Sequence, residues 1–495
     1  MKPSLPREIP SDDPVPGLIQ GYVSVQGPSS VFGKASDPPT TSKPFHAKKA
    51  DRDQVRRNLE KDGFTICAES ALGMAVAGPP SAFEALTGGK VITREVLLRA
   101  ESGISRYVTH LDVVGTHQLP TLGVAAVVKS KAAKIDGVLL ERPRVFLAMF
   151  PSPIPPSSPR FHLELPSQVS AGLSAVEAQQ QGLSGAGVQV AMPDSGWYRH
   201  PYFTAQHYNV KTPITVIPGT NPSKDPVGHG TGESANLLAV APGVVLQPIR
   251  TANDNGDLVA AVAGFLKAKE LAPAIITNSW GSDTSFPPPG PPDQYDQAIA
   301  LEIQDAIERG IIVVFSAGNG QFSIEPQVPG VLAAGGVYMS NTMELQASNY
   351  ASGYKSPWFD DVVVPTVCGL VGLLPRAQYL MLPIPPGCQL DREEGQPEDD
   401  DPEGDGTGPD DGWALFSGTS AAAPQLAGAV ALLLEGKPGL TPAQVAEALR
   451  KTAIDITTGS CHPRFNNPAT VGADLATGDG LVNVAAAVQY AKTNF

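Results

Sequence analysis

The strongest constraint on the fold is an alternation of apolar strand-length runs and helical segments in the second half of the chain. The runs VQVAMPD, PGVVLQPI, PAIITNSWG and IIVVFSAGNG have the composition of buried strands, and amphipathic segments such as DQAIALEIQDAIERG lie between them. Strands that alternate with helices form a parallel sheet covered by helices on both faces. The sequence therefore predicts an α/β fold for residues 165–495, with functional residues at the carboxyl ends of its strands.

The residues before this α/β region have a different organisation. Residues 1–50 are rich in Pro, Ser and Lys and are predicted to form a partly irregular leader. Residues 51–150 alternate between strand-like and helical segments, which predicts a small α+β domain. PSPIPPSSPR then opens the interval 151–164, where its prolines exclude a helix or a central strand. We therefore expect a linker between the two domains.

The interval 391–411 is dominated by Asp and Glu, with Gly and Pro between them. Such a composition buries too little apolar surface to order itself, so it predicts a solvated insertion in the α/β domain. A structural calcium ion is the alternative, because hard cations bind carboxylate oxygens, although the EF-hand pattern is absent. We expect that no cofactor is required and that the functional site contains no metal.

The charge and hydropathy of the chain argue against nucleic acid and membrane lipid as partners. A formal net charge of −14 argues against nucleic acid, whose phosphates attract clusters of Lys and Arg. No window approaches the roughly 20 apolar residues of a membrane-spanning helix, and the N-terminus lacks the apolar core of a signal peptide. The expectation is a cytoplasmic protein without a membrane span, or a secreted one if an upstream signal has been removed.

The cysteines are Cys67, Cys368, Cys388 and Cys461, too few for a disulfide framework in so long a chain. Their spacing does not match a zinc site. Cys368 and Cys388 bracket one loop and could pair in an oxidising compartment, whereas free thiols are expected in the cytoplasm.

FSGTSAAAPQLAG places Ser420 near the start of a helix of small residues. Two interpretations are open for this segment alone. Ser and Thr are frequent N-cap residues, so the hydroxyl could simply cap the helix, and composition favours this. Alternatively, Ser420 is a nucleophile held at the positive end of the helix dipole.

Three further segments supply what a serine nucleophile needs. Asp194 ends the apolar strand VQVAMPD, and His229 lies between glycines in VGHGTGES. A serine hydroxyl needs an adjacent base, and an imidazole base needs a carboxylate to fix its tautomer. Asn319 follows a buried strand in SAGNG, where its amide can donate to a developing oxyanion. Together, these residues predict acyl transfer with Ser420 as the nucleophile.

DSG, GHGTG, SAGNG and GTSAAAP, in this order, resemble the signatures of subtilisin-like serine proteases, the subtilase family. The resemblance covers roughly residues 165–490 and implies a serine endopeptidase with a protein or peptide substrate. It implies that Asp194 orients His229, the general base and then acid, while Ser420 attacks. Asn319 and the Ser420 backbone N–H would form the oxyanion hole. Activity is expected to rise through one inflection near neutrality as His229 loses its proton.

The resemblance also implies where the substrate binds. Family members bind it as an extra extended strand, here along Ser279, Trp280 and Gly281. The side chain before the scissile bond then enters a pocket lined by Trp280, Gly281, Ala317 and Gly318. Small residues at Ala317 and Gly318 predict a pocket open to a large apolar group, with Trp280 either crowding the pocket or forming a stacking wall.

The chain departs from the family pattern at three positions near these motifs. Gly232, Ala421 and Gln425 stand where subtilases usually have His, Met and His. None is a triad position, so the chemistry is expected to persist. A catalytically silent binding or scaffold protein is the alternative function. A lipase or esterase is disfavoured, because those enzymes carry GxSxG and the chain order Ser, Asp, His.

Subtilases commonly carry a small α+β propeptide that assists folding and then blocks the cleft, and residues 1–150 have a suitable size. This N-terminal segment is therefore expected to inhibit the enzyme and to be removed by self-cleavage. Prolines disfavour most linker bonds, so we expect cleavage between Arg160 and Leu165, with Phe161 or Leu163 entering the pocket. An independent targeting or binding domain is the alternative for this segment.

Overall fold

The N-terminal part of the chain folds into antiparallel sheets in the computed structural model, which describes residues 8–33, 39–99, 105–128, 134–143, 145–146, 148–149, 161–375, 377–395 and 404–495. Its strands are β1 (Glu8–Pro10), β2 (Ile19–Val25), β3 (Thr65–Glu69), β4 (Gly73–Gly78), β5 (Lys90–Arg99), β6 (Ser105–Val114), β7 (Val124–Ala125), β8 (Ile135–Leu140), β9 (Val145–Phe146) and β10 (Ala148–Met149). Its helices are α1 (Lys49–Lys61) and α2 (Pro80–Thr87). One sheet has the order β3-β4-β2-β8-β7 and another the order β1-β5-β6.

The larger C-terminal part alternates strands and helices. Its strands are β11 (Leu163–Glu164), β12 (Gln189–Asp194), β13 (Ile214–Thr215), β14 (Val245–Arg250), β15 (Ile275–Asn278), β16 (Trp280–Gly281), β17 (Ile312–Ser316), β18 (Leu332–Met339), β19 (Leu345–Ala347), β20 (Tyr354–Lys355), β21 (Val363–Val364), β22 (Val367–Leu370), β23 (Leu380–Pro383) and β24 (Trp413–Gly418). Its helices are α3 (Ser167–Gly172), α4 (Ala175–Gln180), α5 (Pro201–Ala205), α6 (His229–Val240), α7 (Ala261–Glu270), α8 (Gln294–Glu308), α9 (Gln389–Gly395), α10 (Thr419–Gly436), α11 (Pro442–Thr452) and α12 (Val484–Asn494).

The central sheet of this part has the order β13-β14-β12-β15-β17-β18, and these strands are parallel. β22 extends it in parallel and β19 in antiparallel, both paired with β18. Along β12, Val190 and Met192 face a core that includes α6 and α10, whereas Ala191 faces a second core with α7 and α8. A parallel sheet is buried on both faces in this way. The α/β prediction is confirmed.

The N-terminal sheets dock on the outside of α7 and α8. Tyr22 and Leu72 belong to the same buried cluster as the apolar side of these two helices. The Tyr22 hydroxyl donates to Oε1 of Glu302 on α8 at 2.7 Å, and the Ser70 hydroxyl donates to the same oxygen at 2.6 Å. Apolar burial and buried hydrogen bonds therefore join the two parts of the chain.

The boundary predicted at residue 50, between a partly irregular leader and the small α+β domain, does not hold at β2. β2 lies between β4 and β8 in the five-stranded sheet, and all of its residues are buried. Ile19 and Val23 contribute to the core of the N-terminal domain. The small α+β domain predicted from residue 51 therefore begins well before that position, because it needs β2 as a central strand.

The linker predicted for residues 151–164 extends too far toward the C-terminus. Residues 151–160 lie outside the described residues, but Leu163 is in β11, which pairs in parallel with β23. Its side chain is 1% exposed, and its N–H donates to the Tyr379 carbonyl at 2.8 Å. Burial of a leucine side chain stabilises the folded state by about 1.5–3 kcal/mol. Leu163 therefore belongs to the larger C-terminal part of the chain.

The acidic interval is ordered at both of its ends. Residues 396–403 lie outside the described residues, whereas Asp391 on α9 and Asp405 are buried. Asp391 accepts from the Gly387 N–H at 2.6 Å, and Asp405 accepts from the Leu415 N–H at 2.8 Å. Backbone donors replace the water that these carboxylates lose. The prediction of a solvated insertion is wrong for these flanks.

The described ranges of the chain bear on metal binding and on membrane insertion. These ranges contain no group of three or more His, Cys, Asp or Glu side chains that could hold a metal ion. No helix in the described part of the chain is long and apolar enough to cross a membrane.

The cysteines are free thiols in the structure. Cys368, Cys388 and Cys461 are buried, and Cys67 is partly buried. Cys368 donates to the Thr477 carbonyl at 3.3 Å. The pairing considered for Cys368 and Cys388 is therefore not formed.

Candidate active site

Several of the predicted site residues follow the carboxyl ends of neighbouring parallel strands. Asp194 ends β12, Ser279 follows β15, and Asn319 lies shortly after β17. His229 and Ser420 reach the same edge from the first turns of α6 and α10. Parallel strands bring their carboxyl ends to one edge, so residues distant in sequence meet there.

Asp194 and His229 form a buried pair. Nδ1 of His229 lies 2.7 Å from Oδ1 of Asp194, and the Ser195 N–H donates to the same oxygen at 2.7 Å. The two side chains are 1% and 2% exposed. A carboxylate on Nδ1 fixes the imidazole tautomer, which leaves Nε2 to accept a proton from a nucleophile.

Gly230 allows α6 to begin directly against the end of β12. A Cβ atom at this position would lie 2.4 Å from the Gly196 carbonyl oxygen and 3.0 Å from Cβ of Asp194. Real Cβ atoms do not approach backbone atoms so closely. The glycine that follows His229 is therefore required for the helix to bring the imidazole to the carboxylate.

Asp225 is a site residue that the sequence analysis missed. Its carboxylate accepts from the N–H groups of Gly228 and Thr231, at 2.9 and 2.8 Å, and from the hydroxyl of Ser195 at 2.7 Å. It therefore satisfies donors at the start of α6 and fixes the turn that carries His229. The available signal was an aspartate four residues before His229, because acidic residues are favoured at helix starts.

Ser420 lies inside the first turn of α10 and is fully buried. The N-cap residue is Gly418, so the capping interpretation of Ser420 is wrong. The Ser420 hydroxyl donates to the Ser279 carbonyl at 3.2 Å, and the Ser279 hydroxyl donates to the Ser420 carbonyl at 2.8 Å. These reciprocal contacts fix the start of α10 against the end of β15.

The side chain of Asn319 is oriented by Thr419, the residue before Ser420. Its Oδ1 accepts from the N–H and the hydroxyl of Thr419, at 3.0 and 3.1 Å. Because the amide oxygen is committed to Thr419, Nδ2 is the end that can donate to an oxyanion.

The electrostatics of the pair favour the charged imidazole. Burial lowers the pKa of His229, but the carboxylates of Asp194 and Glu233 outweigh it and raise this pKa to about 9. A general base must be neutral, so activity rises as pH passes through the pKa of His229. With His229 as the base, the raised pKa predicts an inflection on the alkaline side rather than near neutrality.

Comparison with known proteins identifies the family. The profile of the subtilase family matches residues 185–481, more than half of the chain. The chain belongs to the subtilase family. It is therefore a subtilisin-like serine peptidase, a hydrolase of peptide bonds.

Individual subtilases are similar to this chain at low identity. Subtilisin Savinase of Lederbergia lenta is 26% identical over 335 residues, which cover 64% of this chain and 98% of that protein. Subtilisin E of Bacillus subtilis (strain 168) is 26% identical over 349 residues, which cover 66% of this chain and 73% of that protein.

A solved subtilase structure supports the fold. Fervidolysin from Fervidobacterium pennivorans, a keratinolytic enzyme related to subtilisin, superposes with a TM-score of 0.53 at 18% identity. The superposition covers 96% of this chain, which spans 62% of the length of fervidolysin.

A segment of the subtilase's own N-terminal part lies across the candidate site. β9 pairs antiparallel with β16, with Phe146 opposite Trp280, and β10 pairs antiparallel with β24, with Ala148 opposite Gly418. β24 leads directly into the turn with Ser420. The backbone of this segment therefore adds a strand on each side of the serine, the way an extended peptide binds to a sheet edge.

The Trp280 side chain, expected either to crowd the substrate pocket or to form its stacking wall, points into the core instead. It is 1% exposed and packs edge-on against Phe315, with ring centroids 5.2 Å apart. Its Nε1–H donates to the Pro193 carbonyl at 2.9 Å. Trp280 is therefore part of the core, and its backbone is what faces the added strand.

Ala317 and Gly318, predicted to line the substrate pocket, lie in a closely connected part of the described residues. Ala317 is buried in a cluster that contains Phe322. The Thr284 N–H donates to the Phe322 carbonyl at 2.8 Å, so the segments after β16 and β17 contact each other directly. Arg464 bridges the same two segments through the Gly320 carbonyl at 2.8 Å and Asp283.

Gly232 departs from the family pattern for a packing reason. A Cβ atom there would lie 2.5 Å from the Phe416 ring. That ring stacks on the imidazole of His229, with centroids 6.5 Å apart and planes 29° apart. The missing side chain at Gly232 therefore makes room for the Phe416 ring beside the imidazole of His229.

Gln425, a second departure, connects three elements. Its Oε1 accepts from the Leu370 N–H on β22 at 2.7 Å, and its Nε2 donates to Oδ1 of Asn236 on α6 at 3.0 Å. Gln425 thus links α10 to β22 and to α6 through hydrogen bonds.

Proposed function

We propose that this subtilase is an endopeptidase in which Asp194, His229 and Ser420 act as the catalytic triad and Asn319 assists the oxyanion. The observation that carries the proposal is the buried pair of His229 and Asp194, 2.7 Å apart, at the strand edge that also receives the first turn of α10.

The proposed reaction follows from what each group can donate or accept. Neutral His229 takes the proton from the Ser420 hydroxyl as its oxygen attacks the substrate carbonyl carbon, and Asp194 stabilises the imidazolium. The tetrahedral oxyanion accepts from the Ser420 N–H and from Nδ2 of Asn319. The intermediate then collapses, and His229 gives its proton to the leaving amine. A water molecule then attacks the acyl-enzyme, with His229 again taking the proton. The carboxylic acid product leaves, and His229 returns the proton to Ser420.

Replacement of Asn319 by alanine tests the oxyanion assignment. We expect kcat to fall about 10²–10³-fold with little change in KM, because the amide contacts the charge that develops in the transition state. Subtilisin, a relative, is the source of this magnitude. Steady-state kinetics on a peptide substrate supply the measurement, with Asn467→Ala as control, because that asparagine also donates from a partly buried site, to the Gly353 carbonyl. An unchanged kcat in Asn319→Ala would place the donor elsewhere.

We further propose that the chain cuts its own N-terminal part between residues 147 and 148. Residue 147 lies outside the described residues, so the proposal rests on the paired residues on either side. Phe146 is opposite Trp280, and Ala148 is opposite Gly418, two residues before Ser420. Residues 146 and 148 are thus paired with strands on either side of the turn that carries Ser420, and of the two peptide bonds between them we propose that the 147–148 bond is the one attacked. This bond replaces the one expected between Arg160 and Leu165.

N-terminal sequencing of the purified enzyme tests this proposal. We expect a new N-terminus at Ala148 in the wild type, an intact chain in Ser420→Ala, and inhibition of the cut enzyme by the separate 1–147 fragment. Bonds near Leu163 are disfavoured, because β11 is hydrogen-bonded and buried. A new N-terminus in the 161–165 interval, or an intact chain with full activity, would contradict the proposal.

A further inference from the structure

A second buried carboxyl group faces the catalytic histidine. Glu233 lies one helical turn after His229 on α6, and its side chain is fully buried. Its Oε1 is 3.8 Å from Nε2 of His229, the nitrogen opposite the one that contacts Asp194. The triad mechanism does not require a carboxyl group at this position.

The hydrogen-bond network behind Glu233 fixes its orientation. The Leu370 N–H donates to Oε1 of Gln425, so the Gln425 amide nitrogen must donate to Oδ1 of Asn236. Asn236 therefore presents Nδ2 to Oε2 of Glu233 at 3.0 Å. Oε2 can act only as the acceptor in this contact, which leaves Oε1, the oxygen nearest to His229, as the atom that holds or releases the proton.

Among the residues that the structure describes, the other titratable groups around the imidazole have other tasks. Asp194 on β12 holds Nδ1, and Asp225 satisfies the N–H donors at the start of α6. Tyr350 donates to or accepts from Ser417, and Cys388 lies beside Gly228. Burial raises the pKa values of the Tyr350 phenol and the Cys388 thiol, so both stay neutral. Glu233 is therefore the additional group whose charge can change next to Nε2.

We propose that Glu233 is a positioning residue for the catalytic base, a second carboxylate that stabilises protonated His229 from the Nε2 side and shifts peptide hydrolysis to alkaline pH. This proposal rests on the proposed function, in which His229 is the base.

The sign of the effect follows from the charges. Burial raises the pKa of Glu233 to about 8, and the charge of His229 opposes this rise. Once ionised, Glu233 holds the proton on His229 more tightly, so a higher pH is needed to free the base. The same charge stabilises the imidazolium that forms when Ser420 loses its proton. Below about pH 8 Glu233 is largely protonated and has little effect, whereas above that pH its charge lowers the fraction of neutral His229 and raises the limiting rate at the alkaline plateau.

The test is the pH profile of kcat/KM for the processed enzyme and for Glu233→Gln, with a fluorogenic peptide chosen by library profiling. We expect the two profiles to coincide below about pH 8, where Glu233 is largely protonated in the wild type, and the variant to be more active over the upper part of the acidic limb, because its histidine loses the proton at lower pH. At the alkaline plateau the variant should fall below the wild type, because the imidazolium has lost a neighbouring charge. The two profiles should therefore cross, and a merely structural role would lower the whole profile without moving the limb.

Control variants separate the possible failures. Glu394→Gln alters another buried carboxyl group, on α9, whose Oε2 accepts from the Gln378 amide at 3.2 Å. The acidic limb of the pH profile should stay in place in this variant. If Glu233→Gln does not fold, Asn236→Leu removes the donor that favours ionised Glu233, and we expect a smaller shift in the same direction.

A titration of His229 by NMR, with ¹⁵N-histidine in full-length Ser420→Ala, supplies a readout that does not depend on activity. We expect its midpoint to fall when Glu233→Gln is added. An unmoved limb and midpoint in the Glu233 variant would overturn the inference while leaving the triad intact. A wild-type profile without any limb would instead contradict His229 as the base.

Discussion

Replacement of Ser420 by alanine is expected to lower peptide turnover about 10⁶-fold while the fold is retained. This magnitude is the one that loss of the nucleophile causes in subtilisin, a relative of this chain. Alanine fits the site, because Ser420 lies in the first turn of a helix and is followed by three alanines. The variant loses one hydrogen bond, to the Ser279 carbonyl, so the free energy of unfolding should change by about 1 kcal/mol or less.

The measurement requires an open cleft, because the unprocessed chain carries β9 and β10 across the site. The variant can be cut in trans by affinity-tagged wild-type enzyme, which is then removed. Ser170→Ala is a matched control, since that buried serine also donates to a carbonyl, Ala239, but lies on α3. Turnover of Ser420→Ala above about a thousandth of the wild-type value would show that another residue is the nucleophile.

Asp194→Asn is expected to have the second largest effect, a loss of about 10⁴ in kcat. The amide preserves the size of the side chain but can present a donor to Nδ1 of His229, which favours the wrong tautomer. It also removes the carboxylate that contributes most to the raised pKa of His229. The acidic limb of the residual activity should therefore move to lower pH.

Kinetics over a range of pH check this prediction, again with enzyme processed in trans. Asp283→Asn is a suitable control, because Asp283 is a partly buried carboxylate that bonds to Arg464 and to the Phe322 N–H rather than to His229. A kcat for Asp194→Asn within tenfold of the wild type would contradict the role of Asp194.

The sequence was sufficient to predict that Asp194, His229 and Ser420 gather at one edge of the parallel sheet. Asp194 and Asn319 follow apolar runs whose strand character is unambiguous, and parallel strands must bring their carboxyl ends together. Glycines mark the sites where helix starts approach strands closely, as Gly230 does. These features depend on local pattern and topology, which a single sequence carries.

Side-chain directions in the substrate cleft could not be predicted in the same way. Trp280 was expected in a pocket wall, but it points into the core toward Pro193, because β16 is a strand of two residues whose orientation is fixed by distant partners. The contact between Thr284 and Phe322 likewise joins two loops that are far apart in sequence.

The limits of the N-terminal domain were missed for a related reason. β2 belongs to that domain through pairing with β4 and β8, which lie far from it along the chain. The proline-rich and polar composition around β2 gave no sign of this pairing. Composition also failed at Asp405, whose burial depends on hydrogen bonds from Thr407 and Leu415.

Glu233 illustrates what a structure adds to a recognised motif. The four-residue spacing from His229 places both residues on one face of a helix, as the sequence alone shows. Exposed Glu residues at such spacing are common and make weak pairs with water around them. Full burial and the constraint from Asn236 are what make this carboxyl group a neighbour of the base.

Active-site labelling of the processed enzyme with a fluorophosphonate, followed by peptide mapping, tests the central claim most directly. The reagent reacts with a serine only when that serine is activated by an adjacent base. We expect the label on Ser420 in the wild type and its loss in His229→Ala. A label on another residue, or labelling of Ser420 that does not change in His229→Ala, would contradict the account.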